Sequence, residues 1–203
     1  MIAFAAAALL VTGCAGQDTA ASQASPGRTA ALGPADGGTP DAGSGADRGI
    51  AALDRSAPRR VAIPSLGVSS ELETLGQNRD GAMTTPKNPD LAGWYAPGPT
   101  PGSQGPAVIA GHVTWNGADA VFKKLKTLKP GDTVNVDRED GKTATFTVDR
   151  VAEFPKKEFP TLEVYKDLDY AGLRLITCGG DFDAKRHYYP SNVVVFARMT
   201  DVA

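Results

Sequence analysis

Residues 173 to 197 read LRLITCGGDFDAKRHYYPSNVVVFA, and they set the class of the fold. The apolar runs LRLITC (173–178) and NVVVFAR (192–198) are two strands, joined by a loop of about 13 residues. The first strand ends in Cys178, just before Gly179 and Gly180. Counting back by two, Ile176 and Arg174 share the face of Cys178, while Thr177, Leu175 and Leu173 share the other.

Other short apolar runs, broken by Gly, Pro and Asp, fill the chain from Arg59 onward. RVAIP (60–64) is a strand ended by proline, and GPAVIAGH (105–112) is a compact apolar strand. DTVNV (132–136) and TATFTVDRVAEF (143–154) alternate with period two, and Asp140-Gly141 between them signals a hairpin turn. ADAVFKKLKTL (118–128) is the best helical candidate, with Val121, Leu125 and Leu128 near helical spacing, and PTLEVYKDL (160–168) offers a second short turn of helix. Many strands and few helices predict a mainly all-β fold, a barrel or a sandwich.

The remaining chain divides in two. Residues 2 to 13 of MIAFAAAALLVTGCAGQ form an uncharged apolar run, shorter than the ~20 residues a membrane-spanning helix needs but of the length of a secretory h-region. Val11-Thr12-Gly13-Cys14 resembles a lipobox, although no Lys or Arg precedes the run. Residues 1 to 14 are therefore expected to be a lipoprotein-type signal or, if the run extends upstream, a membrane anchor. Either places the protein at the extracytoplasmic face of the membrane. Residues 15 to 58, rich in Ala, Gly, Ser, Asp, Thr and Pro, have little to bury and are expected to be a flexible linker. Residues 59 to 203 then form one domain of ordinary size. The formal net charge of -2 gives no basic footprint for nucleic acid. Two Cys and two His without ligand spacing give no zinc signature, and there is no nucleotide-binding loop, so no cofactor is expected.

With Cys14 at the membrane end, Cys178 is a lone thiol in an exported protein, and such a residue is a candidate reactive group. His112 ends another apolar strand, in AGHVTWNG, and a Cys and a His at separate strand ends can meet on a barrel rim. A thiolate that attacks and an imidazolium that protonates the departing amine are what a cysteine acyl-transferase requires. DAKRHYYPSN adds Arg186, a cation able to face a tetrahedral oxyanion.

VIAGHV, followed some 65 residues later by LRLITCGG and then NVVVFA, strongly resembles the sortases. RVAIPSLGVSSELETLG and AVFKKLKTLKPGDTV look like the group called class F in actinobacteria. The resemblance spans residues 59 to 198 and implies a closed eight-stranded β-barrel with short helices. It also implies a cysteine transpeptidase that cuts a Leu-Pro-x-Thr-Gly-like signal between Thr and Gly. The acyl group of a surface protein would pass to an amine of peptidoglycan or of a pilin. The matching positions are Cys178 and His112, with Thr177, Gly179 and Asn192 expected at the substrate. Many sortases carry the arginine at the start of the strand after the loop, where this chain has Asn192. Arg186 is favoured for the role over Arg174 and Arg198, because the loop can curl it back. An L,D-transpeptidase fits less well, since its His lies next to its Cys. The alternative of a different kind is a catalytically inactive surface-binding module on the same barrel.

Overall fold

A computed structural model describes residues 50–203. The signal or anchor expected over residues 1 to 14 and most of the expected linker lie outside the described residues. Among the described residues no helix is long and apolar enough to cross a membrane.

The described residues form ten strands: β1 (Pro58–Ile63), β2 (Val68–Leu75), β3 (Ala92–Tyr95), β4 (Gly105–Ala110), β5 (Thr114–Trp115), β6 (Ala118–Asp119), β7 (Thr133–Arg138), β8 (Thr143–Pro155), β9 (Ala171–Gly179) and β10 (Ser191–Val202). Eight of them close into a barrel in the order β1-β2-β3-β4-β9-β10-β8-β7, as the resemblance implied. The two left out, β5 and β6, make a small separate hairpin. The pairs β2–β3 and β4–β9 are parallel, and the other barrel pairs are antiparallel.

The apolar runs of the sequence are now explained. Along β4, β9 and β10, one set of residues (Ile109, Leu173, Leu175, Val195) fills the barrel with Phe122, Val136 and Phe146. The alternate set (Val108, Ile176, Val194, Phe196) forms a second apolar cluster with Val164 on the outside. A strand covered on both faces has no polar side to show, so it reads as a continuous hydrophobic run. The outer cover includes a short α-helix, α1 (Thr161–Tyr165), which lies within the short helical turn expected at 160–168.

The helix expected at 118–128 does not form. Its start is β6, and only Leu125–Thr127 make a turn of 3-10 helix. The backbone donors that a helix would use are taken elsewhere: Val121 N–H donates to the Pro89 carbonyl at 3.1 Å and Phe122 N–H to the His112 carbonyl at 2.9 Å. The apolar spacing survives because Phe122, Leu125 and Leu128 still plug the barrel.

The chain is tied to the barrel before β1 begins. Leu53 N–H donates to the Gly102 carbonyl at 2.8 Å. The fully buried Arg138 guanidinium donates to the Asp54 carbonyl at 2.7 Å, to the Pro101 carbonyl and to the Asp140 carboxylate at 2.8 Å. Residues 50 to 57, expected in the linker, are therefore part of the domain: Leu53 and Ala57 also pack against the barrel core. Asp140 and Gly141 make the expected hairpin turn between β7 and β8, with Gly141 at φ 82° and Arg138 N–H donating to the Lys142 carbonyl at 2.9 Å.

Candidate active site

Two parallel neighbours, β4 and β9, carry the candidate residues to one rim. Their register ends at Ala110 opposite Ile176. Two residues further along the chain from each stand His112, just past β4, and Cys178, still within β9. The two chain ends are stitched together there: Gly111 N–H donates to the Ile176 carbonyl at 3.0 Å, and the buried Thr177 hydroxyl donates to the Gly111 carbonyl at 2.7 Å. The hydroxyl of Thr177 thus holds the two strand ends in step.

His112 is fixed from two sides. Its Nε2 lies 2.8 Å from the Pro86 carbonyl oxygen. A carbonyl only accepts, so Nε2 carries a proton and donates it. The nitrogen not engaged by Pro86 is Nδ1. The ring also packs on Trp115, with centroids 4.8 Å apart. Trp115 is placed by the β5–β6 hairpin, whose turn residues Asn116 and Gly117 both have positive φ. An Asn-Gly pair suits such a two-residue turn. Pro86 is held in turn by Glu73, whose carboxylate accepts the N–H groups of Lys87 and Asn88, each at 2.9 Å. These two bonds hold the Glu73 carboxyl below its ordinary range.

Cys178 is half-buried and makes no disulfide among the described residues. It opens, together with His112, into a groove of about 850 Å³. The groove walls are Met83, Tyr95, Val108, Phe159, Tyr165 and Ile176, with Lys156 and Asn192 at the cysteine end. An apolar trough with a few polar groups at one end suits an extended peptide whose reacting carbonyl stops at the thiol.

A family model for the sortase domain matches residues 61–200. The chain belongs to the sortase family. As a member, it is a cysteine transpeptidase. Solved structures with the same fold include the pilus-related sortase C of Group B Streptococcus, at 16% identity and a TM-score of 0.55, covering 73% of this chain and 69% of that one. Sortase A of Corynebacterium diphtheriae, as a lid mutant, aligns at 19% identity and a TM-score of 0.56, covering 73% of both chains. Sortase C-1 of Actinomyces oris aligns at 20% identity and a TM-score of 0.55, covering 70% and 73%. Comparison with curated protein sequences returns no match.

In this sortase the expected site residues fall in different places. Cys178, His112, Thr177 and Asn192 all line the groove. Gly179 does not. It is buried, and a Cβ there would sit 2.8 Å from Val193 Cγ2, so its small size serves strand packing. Arg186 lies in the loop after β9, its side chain 81% exposed and paired with Asp183 at 3.7 Å. Asp183 also accepts the Arg186 backbone N–H at 3.1 Å, and Arg186 does not line the groove. Arg174 shares the outer face with Cys178 but lies four residues back, about 13 Å along the strand. It is buried over Phe196, 4.6 Å from the ring centroid. Burial lowers its pKa. Arg198 pairs with Gly172 at the far end of the sheet and bonds Asp149 at 2.9 Å.

The sequence reading missed Lys156, whose Nζ lies 3.5 Å from Cys178 Sγ. It also missed Trp115 and Tyr189; the Tyr189 hydroxyl meets Thr114 Oγ1 at 2.7 Å and ties the loop after Cys178 to the hairpin after His112. The Asn-Gly signal for that hairpin stood in the sequence. No local pattern marked Lys156.

Proposed function

We propose that this sortase is of the class F kind and cleaves a Leu-Pro-x-Thr-Gly-like sorting signal between Thr and Gly. The surface protein's acyl group then passes to an amine of peptidoglycan or of a pilin. The observation that carries the reading is the opening of Cys178 and His112, from adjacent strand ends, into one apolar groove. In this mechanism the Cys178 sulfur attacks the threonine carbonyl carbon, a C–S bond forms, and the π pair moves onto oxygen. The tetrahedral species collapses, the C–N bond breaks, and protonated His112 gives its proton to the departing glycine amine. The incoming amine loses a proton to His112 as its nitrogen bonds the carbonyl carbon, the C–S bond breaks, and Cys178 leaves as thiolate. With Nε2 donating to Pro86, Nδ1 is the nitrogen that shuttles the proton. Asn192 lies beside the thiol as a donor for the substrate backbone. The N-terminal apolar run holds the domain at the extracytoplasmic face of the membrane.

Intact-mass analysis after incubation with a Leu-Pro-Ala-Thr-Gly peptide tests the reading. An acyl adduct that disappears in Cys178→Ala, with the fold retained, supports it. A Cys178→Ala variant that still turns over removes the nucleophile assignment. No adduct, together with an unreactive thiol in the folded protein, favours the binding module.

A further inference from the structure

Acyl transfer builds negative charge first on sulfur and then on the carbonyl oxygen, and a fixed cation at that point accelerates it. The strand position facing Cys178 is occupied by Asn192, a neutral residue. Arg186 is turned outward to Asp183, Arg174 is buried four residues back, and Arg198 is at the other end of β10. The cation that does reach the sulfur comes from the turn that follows β8. We propose that Lys156 is a catalytic residue of this sortase, its ammonium facing the reacting sulfur and the oxyanion formed beside it.

The placement of Lys156 is specific. It opens the 3-10 turn Lys156–Glu158 at the end of β8, one residue beyond the pairing of Pro155 with Ser191. Its backbone N–H donates to the Pro190 carbonyl at 2.9 Å, which fixes the Cα relative to the start of β10. Its ammonium lies 4.5 Å from the centroid of the Tyr188 ring, a cation–π contact that steadies the side chain without neutralising it. Among the described residues no carboxylate comes within ion-pairing distance of Nζ. The side chain is half-buried and lines the cysteine end of the groove. A lysine aimed at a thiol, steadied by an aromatic ring and paired with no acid, has its charge available to the reaction.

This inference rests on the transpeptidase reading of the groove, and one experiment separates the two. Wild type, Lys156→Met, Lys156→Gln and Lys156→Arg are compared in two assays. In the first, Cys178 is alkylated with anionic iodoacetate and with neutral iodoacetamide. An ammonium beside the sulfur favours the anion, so the iodoacetate-to-iodoacetamide rate ratio is expected to fall at least about fivefold in Lys156→Met and Lys156→Gln and to persist in Lys156→Arg. In the second, acylation by the Leu-Pro-Ala-Thr-Gly peptide is expected to lose about 100-fold in kcat with little change in KM for the Met and Gln variants. Unchanged alkylation ratios, or acylation within about threefold of wild type in a folded Met or Gln variant, overturn the proposal. If Arg186→Met collapses the ratio instead, the cation at the sulfur is Arg186 and the proposal fails. If wild type is not acylated by the peptide at all, the sorting-signal reading fails, and the alkylation ratio still decides whether Lys156 acts on the thiol.

Discussion

Asn192 on β10 stands directly opposite Cys178 on β9, as a cross-strand pair. Both side chains enter the groove, and Lys156 reaches the same spot from the turn after β8. The position across from the nucleophile therefore faces the same groove that Lys156 enters. In the Lys156→Met background, Asn192→Arg is expected to restore roughly tenfold of the lost kcat, because a guanidinium there faces the same oxyanion. Acylation rates of the single and double variants check this. A double variant no faster than Lys156→Met alone means that position 192 does not reach the reacting carbonyl.

Thr177 couples the two strand ends that carry the chemistry. Thr177→Val keeps the shape but leaves the buried Gly111 carbonyl without its hydroxyl donor. The expected cost is about 1–3 kcal/mol of stability, read from the denaturant midpoint. Activity is expected to fall further than stability explains, since His112 and Cys178 lose their shared register. Thr177→Ser, which keeps the donor, should stay near wild type in both.

Arg138 is the anchor for the chain leading into the barrel. Its side chain is fully buried, and its charge is compensated by Asp140 and two carbonyls. Arg138→Ala leaves those acceptors unmatched and is expected to cost about 3 kcal/mol or more. Unfolding by denaturant measures the loss. Limited proteolysis is expected to cut between residues 50 and 57 in the variant and to spare the wild type.

The Glu73 carboxylate gives the histidine loop a pH dependence. Its folded pKa is depressed, chiefly by the backbone donors of Lys87 and then of Asn88. The stabilisation is therefore complete above the carboxyl's unfolded value and is lost as pH falls through the lower folded value. Amide exchange at Lys87 and Asn88, measured at decreasing pH and corrected for intrinsic rates, should show protection fading in that acid window. Glu73→Gln should show reduced protection at every pH, without the acid step, and a lower kcat through a looser His112.

Much of the fold was legible because strands covered on both faces leave an unmistakable mark. AVIA, LRLIT and VVVFA could only be buried runs, and the Asp140-Gly141 turn fixed a hairpin. The helix expected at 118–128 failed because apolar spacing reports which residues are buried and says nothing about where Val121 and Phe122 send their backbone hydrogens. At the site, Cys178 and His112 stood out as reactive types at strand ends. Lys156 did not, since it sits in Pro-Lys-Lys-Glu, an ordinary solvated string, and only the neighbouring strands bring it to the sulfur. The arginines misled in the opposite sense: Arg186 is near in sequence, but Asp183 claims it.

The barrel's last strand in sequence is also an interior one in space. β10 lies between β8 and β9 and pairs with both along most of its length. A growing chain therefore offers two unpaired edges, those of β8 and β9, until its final segment arrives. Closure is a late, long-range event, slow by nature and open to intermolecular strand pairing while it waits. The nucleophile is on one of those waiting edges, so its cross-strand neighbour Asn192 joins it only when β10 is in place.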